Sequence, residues 1–233
     1  MPNTTNFNWS TPADTDLVKN GASAIRTLGS AIDTSFVDFK GGTTGQVLKK
    51  SSATDLDVEW GAASSGLTLI NTTSFSAVTS QSINDVFNAT YRAYRIVFNL
   101  TAGLADADLT LRFRVAGSDA SGSDYNYGVQ GWNINGAAAG GFGSASDTKF
   151  FFGQTDLGTN AAVVSNIVDV VNPFNTVATT MLGQIFGPNT AGTFFSYTIG
   201  GRHSLTTSYT GFSIISSQAN SLTGSVSVYG YNI

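Results

Sequence analysis

Residues 109–115 read LTLRFRV, with Leu109, Leu111, Phe113 and Val115 on one parity and Thr110, Arg112 and Arg114 on the other. A period of two is the mark of a strand with one buried and one solvated face. Comparable runs follow one another at 67–78, 94–100, 125–134, 149–152, 162–171, 180–186, 194–199, 211–216 and 225–231, separated by Gly, Asn and Ser. About ten short strands with such turns predict a mainly β protein, an antiparallel β-sandwich with a jelly-roll-like course. The run VVSNIVDVV, with β-branched residues on both parities, predicts a strand covered on both faces.

The first 40 residues follow a different pattern. Thr11 and Pro12 suit the cap and first position of a helix, and Asp14 and Asp16 suit the positive end of its dipole. Val18, Gly21, Ile25, Leu28, Ile32, Ser35 and Phe39 are then spaced alternately three and four apart. That is a coiled-coil seam of about three heptads, with an ordinary amphipathic helix as the alternative. Ile25 and Ile32 at one seam position with Leu28 at the other lean toward a dimer. Ahead of the helix stand Phe7 and Trp9, which either pack on the chain's own helix or enter a pocket on another protein.

Gly41-Gly42 ends the helix and Gly45 allows a second turn. After it Gln46–Leu48 extends, and Asp55, Asp57 and Glu59 alternate with Leu56, Val58 and Trp60. The expectation is a hairpin whose apolar face needs a covering surface, since two strands alone are marginal in water. The predicted organisation is 1–40 as N-terminal anchor and helix, 41–66 as hairpin connector and linker, and 67–233 as β head.

Among the 233 residues only 11% are charged, and the net charge is −4. No basic footprint for nucleic acid results. Without cysteine, the chain can form neither disulfides nor thiolate metal sites. Residues 1–10 show no basic region followed by an apolar run, so no signal peptide is expected, and no stretch reaches about 18 apolar residues, so no membrane insertion is expected.

Catalytic constellations are sparse. His203 is the single histidine, so a Ser-His-Asp triad would have to form around it, and its sequence surroundings suggest a turn or surface position. Asp55 with Asp57, and Asp106 with Asp108, are the closest carboxylate pairs, and both read as solvated edge charges rather than a glycosidase pair. Asp119, Ser121, Ser123 and Asp124 supply oxygens within one loop but lack the Gly and Glu of a calcium-binding hand, which favours a polar turn. Gly140-Gly141-Phe142-Gly143 lacks the Lys of a phosphate loop. No metal, cofactor or enzymatic activity is expected. The aromatic loop Tyr125, Tyr127 and Trp132, with Asn126, Gln130 and Asn133 beside it, is the ligand candidate. Flat rings suit the C–H faces of sugars and amides suit their hydroxyls, although the three aromatics do not share one strand parity.

GGTTGQVL followed by a polar turn and a strand ending in Trp60 resembles an element of bacteriophage tail and fibre proteins, and the preceding TPADTDLVKNGASAIRTLGSAID is similar to what often precedes it there. YRAYRIVFNLTAG, DADLTLRFRVAGSDASGSDYNYG and LTGSVSVYGY resemble the C-terminal β-sandwich head of the same group. The resemblance implies a homotrimeric virion structural protein, a fibre docked on other virion proteins by its N-terminus and presenting its head for host attachment. Within that reading the spaced residues Val18, Ile25, Leu28, Ile32 and Phe39 are expected to serve oligomerisation, Phe7 and Trp9 anchoring, and Tyr125, Tyr127 and Trp132 contact with a host glycan. A capsid decoration or head-fibre protein with a stabilising role is the alternative. A virion-associated glycan hydrolase is the third reading, opposed by the single histidine.

Overall fold

Ahead of the predicted hairpin the structure shortens the helix. The computed structural model describes residues 2–63, 66–102, 107–133, 138–155, 164–188 and 194–232, and they divide into two compact units, Met1–Ser64 and Ser65–Ile233. In the first, helix α1 spans Gly21–Ser35 and is preceded by a 3-10 turn, Val18–Asn20. The expected start at Thr11-Pro12 is not taken. The Asp16 side chain accepts the Ala13 N–H in a local turn, and Leu17 is extended at φ −63°, ψ 134°. At the other end Phe36 leaves helical geometry, and Val37–Phe39 forms a second 3-10 turn. Val18 and Phe39 therefore lie outside the α-helix, and a coiled-coil seam of the predicted length does not exist within one chain. Gly41, Gly42 and Gly45 all have positive φ, as their turn roles require.

Strands β1 (Gln46–Lys50) and β2 (Val58–Ala62) pair antiparallel, with Leu48 opposite Trp60 and Lys49 opposite Glu59. Lys49 and Glu59 form an exposed ion pair at 3.1 Å. Asp55 and Leu56 belong to the turn rather than the strand, because Leu56 takes φ +61°.

The second unit consists of antiparallel strands: β3 (Leu67–Val78), β4 (Ser80–Ile83), β5 (Ala93–Ala102), β6 (Ala107–Val115), β7 (Ser118–Asp119), β8 (Tyr125–Asn133), β9 (Ala138–Asp147), β10 (Phe150–Thr155), β11 (Val164–Val171), β12 (Thr179–Pro188), β13 (Phe194–His203), β14 (Gly211–Ser216) and β15 (Leu222–Tyr231). One sheet runs β3-β15-β5-β11-β12-β13-β8-β9; the other runs β10-β6-β14-β4, with β7 on β6. Inward residues of both sheets share one core: Phe98 lies 4.8 Å from Phe152 and 6.3 Å from Phe212, ring centre to ring centre. Asn166 ties the sheets from inside, donating to the Phe152 carbonyl and accepting the Phe186 N–H, both at 3.3 Å.

Strand β11 alternates rather than burying both faces. Val164, Asn166, Val168 and Val170 point inward, while Ile167 is 40% exposed. β-branched residues suit a pleated surface whether or not that face is covered, so their presence on both parities did not report burial. Among the described residues no helix is long and apolar enough to cross a membrane.

Candidate functional site

The three aromatics of the ligand candidate separate. Tyr125 is 0% exposed. Its hydroxyl accepts the Phe113 N–H at 3.0 Å and donates to the Ala120 carbonyl at 2.7 Å. Burial pushes its phenol well above the ordinary range, so it is a core residue and offers no face to a sugar. Tyr127 lies on the same inward parity, half-buried, and donates to Asp147 Oδ2 at 3.0 Å. Burial first, and the Asp147 carboxylate second, push its phenol up to about 12. Trp132 alone faces outward, 60% exposed, on the open face of the larger sheet.

Gly131 explains the placement of Trp132. A Cβ there would collide with the ring of Tyr197 and the carbonyl of Ser196. Glycine lets Tyr197 lie beneath the strand, and Trp132 is then set on the opposite face by the pleat.

Sequence reasoning also misplaced His203. It is fully buried, with Nδ1 3.0 Å from the Tyr209 hydroxyl and its ring 4.4 Å from that of Tyr125 and 5.8 Å from that of Phe113. Desolvation lowers its pKa, with Asp124 opposing weakly, so the ring is held neutral. Alternation within GGRH would have placed it inward, two residues beyond Gly201 and four beyond Ile199.

The loop acids have structural partners. Asp119 pairs with Arg114 and accepts the Ser213 hydroxyl at 2.8 Å, and Ser204 faces Asp124 twice, its N–H on the backbone carbonyl at 2.9 Å and its hydroxyl 3.5 Å from Oδ1. Among the described residues no group of three metal-ligating side chains converges. Asp57 accepts from the Ser52 hydroxyl, and Asp106 lies outside the described residues. Gly140–Gly143 lies within the edge strand β9.

On the outer face of the larger sheet, Arg95 grips Asp169 with Nε and Nη2 at 2.9 and 2.8 Å, and Tyr231 donates to the same carboxylate at 2.8 Å. Partial burial raises the Asp169 pKa, but the hydrogen bonds from Arg95 and Tyr231 outweigh it, and the net shift is downward. A shallow depression of about 420 Å³ opens beside this pair, over Ile167, Leu182, Gln184 and Thr198.

The first unit differs in kind. Among its described residues none is buried. Val18 is 97% and Ile25 65% exposed; Leu28 and Ile32 are only partly covered. Trp9 stacks on Phe7 at 4.9 Å, lies 6.2 Å from Phe36 and donates from Nε1 to Ser35 Oγ at 3.1 Å. The aromatic pair thus rests on the end of its own helix, with Phe7 still 44% exposed.

Compared with protein-family models, with curated proteins and with solved structures, the chain matches none.

Proposed function

We propose that this chain is a bacteriophage virion structural protein with an adhesive rather than catalytic role. In this reading it is a homotrimeric fibre, docked through its first unit, with the second unit turned toward the host as a sandwich head of jelly-roll type. The observation that carries the reading is the contrast between the units. The second has a core of its own, whereas the first displays Val18, Ile25, Ile32, Phe36, Val37 and Phe39 without burying any of them. A segment of that size with no buried residue among those described cannot offset the entropy of ordering its chain. Copies of itself and a neighbouring virion protein would supply the missing cover, with Ile25, Leu28 and Ile32 against sister helices and Phe7 and Trp9 against the neighbour. The low-charge composition and the resemblance of GGTTGQVL and LTGSVSVYGY to fibre proteins support the same reading.

The test is immunogold imaging of intact particles with an antibody to the second unit, together with light scattering on the purified chain. Label on tail or fibre and a mass of three chains are expected. Label on the capsid surface would instead favour the decoration role, and unlabelled particles with a stable monomer in solution would refute both.

A further inference from the structure

Three neighbouring strands, β12, β13 and β8, build a trough on the open face of the larger sheet. The register sets Phe186, Ser196 and Trp132 in one row, Gln184, Thr198 and Gln130 in the next, and Leu182, Gly200 and Gly128 in the third. The residues on the middle strand are small. Ser196, Thr198 and Gly200 therefore form a floor, walled by Phe186, Gln184 and Leu182 on one side and by Trp132 and Gln130 on the other, with the second wall open at Gly128. Nothing lies within 4 Å of where a Cβ of Gly128 would stand, and only Leu182 lies near that of Gly200. The flanking strands stand about 9.5 Å apart, two strand spacings, and the floor from Ser196 to Gly200 is about 13 Å long.

The walls alternate in chemistry along this length. Aromatic faces stand at one end, where Phe186 and Trp132 are 42% and 60% exposed and Phe194 stacks on Phe186 at 5.5 Å. In the middle two primary amides flank a hydroxyl, and each amide both donates and accepts. None of these nine residues is charged. Beyond Gly200, on the same parity of β13, the exposed Arg202 closes the trough. Its contact to the side-chain oxygen of Asn126 is long, at 3.5 Å, and it forms no ion pair among the described residues. Arg95, in contrast, is occupied by Asp169.

These dimensions and this chemistry select among occupants. An α-helix, about 10–12 Å across with side chains, does not fit. An extended peptide would add to a strand edge rather than lie on a face. A stable protein contact needs about 800 Å² per partner, centred on an apolar core, and here the centre is polar. A flat ring with apolar C–H faces and a hydroxyl rim matches both the aromatics and the amides. The Arg202 guanidinium, with no ion-pair partner among the described residues, adds charge complementarity for a carboxylate, which an arginine can grip with two parallel N–H donors.

We infer that the trough along β13 binds an oligosaccharide, with a sugar ring on Trp132 and Phe186, hydroxyls on Gln130 and Gln184, and a carboxylate-bearing sugar at Arg202. The assignment rests on the reading of the second unit as the host-facing part, and it moves the glycan contact away from Tyr125 and Tyr127, keeping only Trp132.

The experiment titrates the purified full-length chain with trigalacturonate and 3′-sialyllactose as acidic probes and maltotriose as the neutral one, followed by isothermal calorimetry. At least one acidic probe is expected to bind more tightly than maltotriose. Trp132→Ala should weaken that binding about tenfold, and Arg202→Gln should bring the acidic probe down to the level of maltotriose. Both positions are exposed, and unchanged circular dichroism and oligomer mass confirm that the variants are folded. Absence of binding by both acidic probes overturns the inference, as does equal binding of all three probes or affinity unaffected by Trp132→Ala. The titration needs no particles. Particles lacking the protein would refute the virion reading and leave the trough intact, whereas a silent titration with labelled particles would refute the trough alone.

Discussion

The Tyr125 hydroxyl lies 3.0 Å from the backbone nitrogen of Phe113, so a side chain of one sheet completes the hydrogen bonding of a strand in the other. The same oxygen donates to Ala120 at the start of the loop that leads back to β8. Tyr125→Phe removes one atom and leaves a buried N–H and a carbonyl without their partner. The expected loss is about 1–3 kcal/mol of unfolding free energy in urea titration, with affinity for the acidic trisaccharide unchanged.

His203 makes stability depend on pH. Its folded pKa is lowered by desolvation, while the unfolded chain titrates near about 6.5. Below that value the unfolded state binds the proton first, so stability falls as pH drops through 6.5 toward the folded pKa and is constant above it. The slope from this group is at most about 1.4 kcal/mol per pH unit. His203→Gln should flatten the stability profile just below about pH 6.5; an unchanged slope there would show that His203 does not carry it.

Asp169 acts in a separate window. Its lowered pKa contributes stability above the unfolded carboxylate range, and this is lost as pH falls through the folded value. Asp169→Asn should remove this more acidic step while leaving the His203 step in place, read from urea titrations at successive pH values.

Thr179 Oγ1 is buried without a hydrogen-bond partner among the described residues. Thr179→Val keeps the shape and removes the unsatisfied hydroxyl, so thermal unfolding should show no loss and a gain of up to about 1 kcal/mol.

The two units predict different responses to deletion and charge. The chain from residue 65 onward should fold alone, giving a cooperative melt, because its core contains no residue before Phe75. In the full chain, Ile25→Asp with Ile32→Asp should convert the oligomer to monomer by light scattering. Phe7→Ala with Trp9→Ala should leave the oligomer intact and reduce incorporation into particles. A monomeric wild-type chain would sink the first of these, and full incorporation of the aromatic double variant the second.

Strands whose inward residues are large and apolar could be read from the sequence, as at 94–100 and 109–115, because burial imposes a period of two. Ala138–Asp147 was missed because Ala, Gly and Ser carry no such period, and Ser80–Ile83 because its four residues hold only one apolar side chain. In the first unit the spacing of Val18 through Phe39 described a possible face but not where the helix starts and stops. The trough could not be seen in one dimension at all. Ser196, Thr198 and Gly200 look like ordinary small residues until the register sets Phe186 and Trp132 on either side of them.

Strand β15 lies between β3 and β5, so two early strands of the second unit are joined, among the described residues, through one that is synthesised after β14. A nascent chain that has emerged as far as β14 has β5 without its β15 neighbour and β3 without any sheet partner. Completion of the larger sheet therefore waits until β15 has emerged, and pairing across this separation in sequence is slow. A chain cut short before Leu222 would leave the edges of β3 and β5 uncovered, open to pairing with another chain.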